Sequence, residues 1–321
     1  MKFSSKSLIV LALQACLYLY SSGSKAQDNE VLSAEDSIQI NNAAAHKGFH
    51  AGLFVGAFWA NSSTAYLYDG YGFDQNGQRN TFNNSILYNQ IVNVYGNGNN
   101  DLIAQLLNVN HTDWHFTEQN MPFNLRYTTT YLVGLNTRYQ LNKRQSIAIN
   151  INGTKLSVNG KFTITSTPSN NGFQTVAAKQ NQFTIVGAEQ RLMFQFGYQR
   201  IVGKNEKINF VLEGGLNIIM SKAQKNQALL NSDLNNGQNN IYIDLMSIYS
   251  QPPYNYYSAK YLIGVGIGVF AGAGLNININ PKYSIQLVYT PSYDRVNLGY
   301  TPKFKLQHGF GLRIYYNLSR L

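Results

Sequence analysis

The residues whose types and spacing could support chemistry lie closest together in one segment, His111-Thr112-Asp113-Trp114-His115. Two histidines four positions apart, with an aspartate between them, could ligate a metal ion or serve an acyl hydrolase as base and orienting group. No third ligand at an informative spacing and no nucleophile motif accompanies them in the sequence. We therefore expect no catalytic residue, no metal and no cofactor, and His111, Asp113 and His115 stand as weak candidates only.

Six charged residues form a second candidate set, because they occupy hydrophilic positions in segments that alternate between apolar and polar side chains. Pointing into a shared interior, they would form a structural ion-pair network: Glu189, Arg191, Glu213, Arg313, Arg126 and Arg138. Glu213 and Arg313 lie at similar distances from the short turns next to their strands, so these two are expected to meet at mid-height as a bidentate pair. A narrow channel through the same interior is the alternative.

Aromatic residues in two long connections form the third set. The connections are residues 61–123 and 222–257, and they are rich in Asn, Gly, Tyr and Gln. Loops of this length are uncommon unless they are functional or disordered, so they predict the working surface of the protein. The aromatic residues expected to form this loop binding surface are Tyr66, Tyr68, Tyr71, Trp114, Tyr254, Tyr256 and Tyr257.

The stretch from Leu125 to Leu141 indicates the scaffold that would position these residues. Its odd positions are mainly apolar with aromatic ends, and its even positions are polar, small or basic. This alternation over about seventeen residues is longer than a typical soluble strand and long enough to cross a bilayer. Charged residues make up 12% of the chain, about half the share in a soluble domain. The mean hydropathy is nevertheless slightly negative, at −0.24, so the chain as a whole is not strongly apolar. Apolar residues are therefore dispersed among polar ones, which is typical of a membrane β-barrel.

The same alternation recurs along the chain, and eight strands are expected. They are residues 48–60, 125–141, 145–164, 182–202, 208–220, 260–279, 283–294 and 305–318. Short turns follow the second, fourth and sixth strands, as in an all-β, antiparallel, up-and-down transmembrane barrel with long extracellular loops and short periplasmic turns. Apolar positions change phase within the third strand, which predicts a bulge near Gly153. A strand at 85–95 would raise the count toward ten, and 101–109 is expected to be a short helix.

The N-terminal residues 1–26 have the pattern of a signal peptide. Lys2 and Lys6 precede an apolar run, and the small residues Ser24 and Ala26 offer a cleavage site. Residues 27–47 are polar and begin with an acidic stretch, so they are expected to be a periplasmic lead-in, which leaves 48–321 for the barrel. The single cysteine, Cys16, lies in the signal, so the mature chain would have neither disulfides nor thiol chemistry.

The formal net charge of +10 bears on the partner. The sequence has no dense Lys/Arg run, zinc pattern or helix-turn-helix pattern, and export separates the chain from the genome, so nucleic acid is not expected. An outer-membrane lipid surface, such as lipopolysaccharide phosphate, is expected instead. The basic residues expected at this rim are Lys179, Lys222, Lys225, Lys260, Arg295 and Lys303.

In its alternating strands, its short turns and its closing strand up to Leu321, the chain resembles the small OmpA/OmpX-type outer-membrane barrels. It is most similar to the long-looped form common in Bacteroidota, a group that includes PorT-like proteins. The resemblance covers about residues 48–321 and implies the outer membrane. It also implies a non-enzymatic binding, anchoring or structural role in an envelope complex for secretion, adhesion or uptake, with protein partners. A narrow porin and a lipid-modifying enzyme that uses the histidine segment are the alternatives.

Overall fold

Eight antiparallel strands pair in a closed ring in the computed structural model of this chain. The structure describes residues 48–74, 78–98, 101–167, 177–203, 205, 207–230, 241–246, 263–298 and 303–320. The expected signal peptide and lead-in lie outside these residues. The prediction of an eight-stranded antiparallel barrel is confirmed.

Eleven strands lie in the described part of the chain. They are β1 (Gly48–Trp59), β2 (Trp114–His115), β3 (Phe123–Tyr127), β4 (Thr130–Asn142), β5 (Gln145–Ser166), β6 (Lys179–Val202), β7 (Ile208–Leu230), β8 (Ile241–Asp244), β9 (Ile263–Asn278), β10 (Tyr283–Arg295) and β11 (Phe304–Asn317). The ring runs β5-β4-β1-β11-β10-β9-β7-β6 and closes through the pairing of β6 with β5. The short strands β2 and β3 pair with β5, and β8 pairs with β7.

The outer surface of the ring explains why the sheet closes. On β9 the residues Ile263, Val265, Ile267 and Val269 are exposed, while every second residue faces the interior. The same outward rows of apolar side chains occur on the other ring strands. A closed antiparallel sheet satisfies its backbone amides internally, so such a surface can lie in hydrocarbon. This is the architecture of outer-membrane barrels.

Among the described residues, no helix has the length and apolar character needed to cross a membrane.

The connections define the two ends of the barrel. Short turns join β4 to β5, β6 to β7, and β9 to β10, and both the start of β1 and the end of β11 lie at that same end. We call this the periplasmic end, following the arrangement of bacterial outer-membrane barrels. At the opposite, extracellular end, β5, β6 and β7 extend far beyond the ends of β1, β10 and β11.

The predicted bulge near Gly153 was wrong. The strand β5 pairs with β6 from Gln145 to Ser166 without a register shift, and its even-numbered residues face inward throughout. Apart from Ala148, the inward residues are polar near the periplasmic end, and they become apolar further out, at Leu156, Val158 and Phe162, which are buried. The phase change in the sequence therefore marks the height at which the filling of the interior changes from polar side chains to apolar ones.

The first long connection supplies that apolar filling. It forms 3-10 turns at Ser62–Thr64 and Tyr66–Tyr68, then α1 (Ile86–Tyr88), a π-helix at Asn89–Tyr95 and α2 (Leu102–Leu107). Further 3-10 turns lie at Phe82–Asn84, His111–Asp113 and Glu118–Asn120, and one follows β11 at Leu318–Arg320. Buried residues of this connection, among them Leu67, Leu87, Ile91 and Ile103, belong to one core cluster with the inner face of β5, β6 and β7.

Local signals account for the two helices. The Asp101 side chain accepts a hydrogen bond from the Ala104 backbone N–H and caps α2, so the predicted helix at 101–109 is confirmed. Asn108 follows α2 in the left-handed conformation. The predicted strand at 85–95 was wrong, because the Ser85 side chain caps α1 and the chain continues as helix. A ring of ten strands is therefore excluded.

Two predicted boundaries also change. The strand expected over 125–141 is divided into β3 and β4, and the pairing with β5 shifts by one residue between Tyr127, opposite Val158, and Leu132, opposite Thr154. The loop expected from Lys222 begins later, because β7 continues as strand to Leu230.

Candidate functional site

The lower layer of the lumen is built around a buried ion pair. Glu213 on β7 and Arg313 on β11 form two parallel hydrogen bonds of 2.6 and 2.7 Å, and both side chains are almost completely buried. Gln199 donates a third hydrogen bond to the carboxylate at 3.3 Å. The Arg313 guanidinium carbon also lies 5.8 Å from the ring centre of Phe54. The strand heights in the sequence had predicted this pair, and the structure brings the two residues together.

Arg138 joins the lower layer without a carboxylate. It faces inward and is buried, as predicted, but its described partners are the neutral oxygens of Gln199 at 3.4 Å and Ser284 at 3.1 Å. Its guanidinium carbon lies 4.5 Å from the ring centre of Tyr315. Among the described residues, the lower layer therefore carries two guanidinium groups and one carboxylate.

The upper layer centres on Arg191 and Glu189, both on β6 and both fully buried. Arg191 donates hydrogen bonds to Glu189 at 2.5 Å, to the Gln307 side chain on β11 at 2.5 Å and to Thr64 Oγ1 at 3.0 Å. It also donates to the phenol oxygen of Tyr127 at 3.2 Å. The Arg191 side chain thus connects four elements: the ring strands β6 and β11, the short strand β3, and the first loop.

Arg126 does not belong to the network, and the prediction that it points inward was wrong. It is exposed on the outer side of β3, where it pairs with Asn159 of β5. The interruption between β3 and β4 reverses which residues face inward, so Tyr127 takes the inward position instead. Its phenol donates a hydrogen bond to Glu189 at 3.0 Å.

The first loop docks into the extracellular mouth through polar contacts with this layer. The phenol of Tyr68, which is completely buried, donates to Glu189 at 3.1 Å. Burial, together with the Glu189 carboxylate, raises the pKa of Tyr68 well above its usual value, so the phenol stays neutral and remains a donor. The side chain of Asn226 donates to the Leu67 carbonyl at 3.0 Å. A Cβ at Gly187 would collide with the Tyr68 ring, so this close approach requires glycine.

Of the four described residues in the predicted loop binding surface, two are buried. Tyr66 is 47% exposed, but Tyr68 and Tyr71 are buried. The Tyr71 ring lies 3.4 Å beneath the guanidinium carbon of Arg79, which bonds Asp69 at 2.7 Å. Burial raises the pKa of the Asp69 carboxyl, while the Arg79 charge opposes that rise. Tyr254, Tyr256 and Tyr257, expected in the same surface, lie outside the described residues.

The histidine segment serves the packing of the loop. His111 Nδ1 lies 2.6 Å from Asp101 Oδ2, and the Trp114 indole N–H donates to the same oxygen at 2.7 Å. Asp113 accepts from the Asn110 side chain at 2.9 Å. His115 is exposed on β2. Within the described ranges, no group of three or more His, Cys, Asp or Glu side chains is placed to hold a metal ion.

A small cavity of about 20 Å³ lies inside the barrel. Its lining includes Phe54, Phe58, Leu132, Met193, Gln195 and Arg313. This volume is about that of a single water molecule. The lumen at this height is therefore filled by side chains.

The extracellular extension carries a basic outer face. Lys155, Lys161 and Lys225 are exposed on the outer side of β5 and β7, and Lys222 is half-buried there. Lys179 is exposed at the start of β6, but it lies on the inward side of the sheet, opposite the inward-facing Ser166. Lys155 and Lys222 lie in one row across the sheet, since each pairs with Gln190 of β6. Among the described outward residues of β5, β6 and β7 in this extension there is no Asp or Glu, while the neighbouring strand β8 carries the exposed Asp244 opposite Gln227. We call this surface, with Lys155, Lys161, Lys222 and Lys225, the outer basic face.

The other basic residues that the sequence predicts at the rim differ in outcome. Arg295 and Lys303 are exposed, and Lys260 lies outside the described residues. Thr64, Tyr127 and Gln307, which bind Arg191, were not among the predicted site residues. The sequence did indicate that Gln307 faces the interior, because it lies on the polar side of its strand. Nothing in the sequence indicated the role of Thr64, because the position of this residue depends on how the loop folds.

No protein-family model and no curated protein matches the chain. Similar solved structures include the outer membrane protein OprG from Pseudomonas aeruginosa, with 8% identity, a TM-score of 0.37, and coverage of 85% of this chain and 98% of that one. Ail, the attachment invasion locus protein of Yersinia pestis, has 11% identity, a TM-score of 0.31, and coverage of 84% and 99%. The translocator domain of the autotransporter NalP from Neisseria meningitidis has 10% identity, a TM-score of 0.24, and coverage of 89% and 96%. Such low similarity carries no argument about function, and the architecture rests on the strand pairing itself.

The lower ion pair leads to a first prediction. Glu213→Gln or Arg313→Met alone should lower the free energy of unfolding by about 3–5 kcal/mol, because each leaves a buried charge without its partner. The double variant should lose clearly less than the sum of the two. Urea unfolding of the barrel in lipid vesicles measures all three values, and strictly additive losses would contradict a coupled pair.

Proposed function

We propose that this chain is an outer-membrane barrel with a closed lumen and a non-enzymatic role. It presents its folded first loop, and the second connection between β7 and β9, to a partner in the cell envelope. The observation that carries this proposal is the docking of the first loop into the barrel mouth through Arg191, Glu189 and Tyr68. A loop fixed in this way is a preorganised surface on a rigid wall, which lowers the entropy lost on binding.

The filled lumen supports binding rather than transport. Two charged layers and the docked loop lie in series along the axis, so a diffusing solute would have to displace each of them. The buried ion pairs are costly to break, which favours a permanent closure. A narrow porin is therefore the less favoured candidate.

A role in an envelope complex for secretion, adhesion or uptake, and a place in the long-looped Bacteroidota group with PorT-like proteins, both belong to this proposal. They follow the sequence resemblance. The contacts of His111 and Asp113 with Asp101 and Asn110 favour a structural role for that segment over a lipid-modifying site.

The outer basic face fits the anionic lipopolysaccharide that would surround the extension. Lys155 lies four residues beyond Ile151, and Lys222 two beyond Met220, which are exposed apolar residues of the membrane band. The lysines are thus positioned at or just above the level of the headgroups. Each such charge contributes about 1 kcal/mol near an anionic surface.

Single-channel recording tests the closed lumen. The wild-type barrel in a planar bilayer should give a flat baseline, and Arg313→Ala should leave that baseline flat, because the upper layer and the loop still block the axis. Arg191→Ala is the matched variant in the upper layer and should also stay closed. Discrete conductance steps in the wild type would contradict the proposal.

Binding to lipopolysaccharide tests the outer basic face. Lys155→Gln, Lys161→Gln and Lys225→Gln together should weaken binding by about a hundredfold at low salt, since each removed charge contributes about 1 kcal/mol and about 1.4 kcal/mol is a factor of ten. Binding by the wild type should also weaken as salt rises. The three lysines changed to Arg form the control and should retain binding. Equal binding by the Gln and Arg variants, or no salt dependence, would argue against an electrostatic contact.

Affinity purification from native membranes in mild detergent tests the partner. The wild-type chain should retain a stoichiometric protein, and Tyr66→Ser with Val94→Ser should lose it, because these side chains are exposed on the first loop. Lys161→Gln, on the outer wall, is the control and should keep the partner. If the loop variant keeps the partner as well, the first loop is not the contact surface.

A further inference from the structure

The three periplasmic turns repeat one local arrangement. Each contains an asparagine whose side-chain oxygen accepts a hydrogen bond from the backbone N–H of a basic residue two positions later. The pairs are Asn142 with Arg144 at 2.9 Å, Asn205 with Lys207 at 2.8 Å, and Asn280 with Lys282 at 2.9 Å. Asparagine commonly fixes turns in this way. The arrangement holds one cation at the same place in every turn.

These turns make the periplasmic end strongly basic. Arg144, Lys207 and Lys282 are exposed, and Lys143 and Arg200 add two more exposed cations near the first two turns. Among the described residues of this end, none of the exposed side chains is a carboxylate. Glu206 occurs in the sequence of the second turn but lies outside the described residues. We call the five cations the periplasmic basic rim.

The rim lies at a defined depth. Outward aromatic residues end the membrane band directly beside it: the exposed Tyr139 lies four residues before Lys143, the half-buried Tyr198 two before Arg200, and the exposed Tyr283 next to Lys282. Aromatic side chains of this kind mark the membrane interface. At about 3.3 Å per residue along a strand, the cations beyond them reach the headgroup layer.

We propose that the periplasmic basic rim binds anionic phospholipids of the periplasmic leaflet. The class of ligand is a phosphodiester headgroup without a compensating ammonium, such as phosphatidylglycerol. An acidic protein is the less favoured partner, because the cations are spread over all three turns around the ring rather than collected on one side. This spread matches a shell of lipids.

The test uses a tryptophan reporter at the rim. The chain has two tryptophans, and Trp59 lies exposed at the extracellular end of β1. The reporter is the double variant Trp59→Phe with Tyr283→Trp, which places an indole beside Lys282. Brominated lipids that bind at this position quench the fluorescence of that indole. The parent reporter should show a roughly threefold preference for brominated phosphatidylglycerol over brominated phosphatidylcholine in mixed bilayers at low salt.

A fourfold variant then removes the charge. Lys143→Gln, Arg144→Gln, Lys207→Gln and Lys282→Gln in the reporter should reduce the preference to near one, as should high salt. The three lysines changed to Arg should keep it, which separates charge from folding defects. The wild type, which reports from Trp59, should respond little to the fourfold change. Equal quenching by the two lipids in the parent reporter, or an unchanged preference in the fourfold variant, would overturn the proposal.

Discussion

The structure depends on one constraint: every backbone amide in the membrane band must find its partner within the sheet. Because hydrocarbon offers no hydrogen bonds, the sheet must close, and it closes through the pairing of β1 with β11 and of β5 with β6. Closure fixes which residue of each strand faces inward. The two charged layers depend on this closure, since it brings together inward-facing residues of strands that lie far apart in sequence.

The buried charges in turn limit what the lumen can be. Glu213 and Arg313 satisfy each other with two hydrogen bonds, and Arg191 is surrounded by acceptors from several elements. Arg138 relies on neutral oxygens and the Tyr315 ring. A water-filled passage would solvate these groups and weaken their mutual attraction. The fold therefore favours a solid interior.

The sequence predicted the ring and its strand count because a lipid-facing strand repeats every two residues, and that period is visible without tertiary information. It also predicted the meeting of Glu213 and Arg313, since heights measured from short turns carry over into a regular barrel. It failed where the chain leaves the membrane. In β5 the apolar residues from Leu156 outward face a folded loop, so the same period was misinterpreted as a bulge.

Other failures have local causes. Arg126 was expected inside because a single uninterrupted strand was assumed, whereas the one-residue shift between β3 and β4 reverses its orientation. The roles of Thr64 and Tyr68 could not be predicted, because they depend on how a connection of some sixty residues folds onto the wall. The aromatic loop residues were interpreted as a surface from their composition alone, and burial showed that most of those described serve as core.

The docked loop also has a consequence for assembly. Arg191 donates hydrogen bonds to Thr64 in the first loop, to Tyr127 on β3 and to Gln307 on β11, the last strand of the barrel. These contacts can be completed only when the final strand has joined the first. The polar contacts that hold the first loop in the mouth are therefore complete only in the closed barrel.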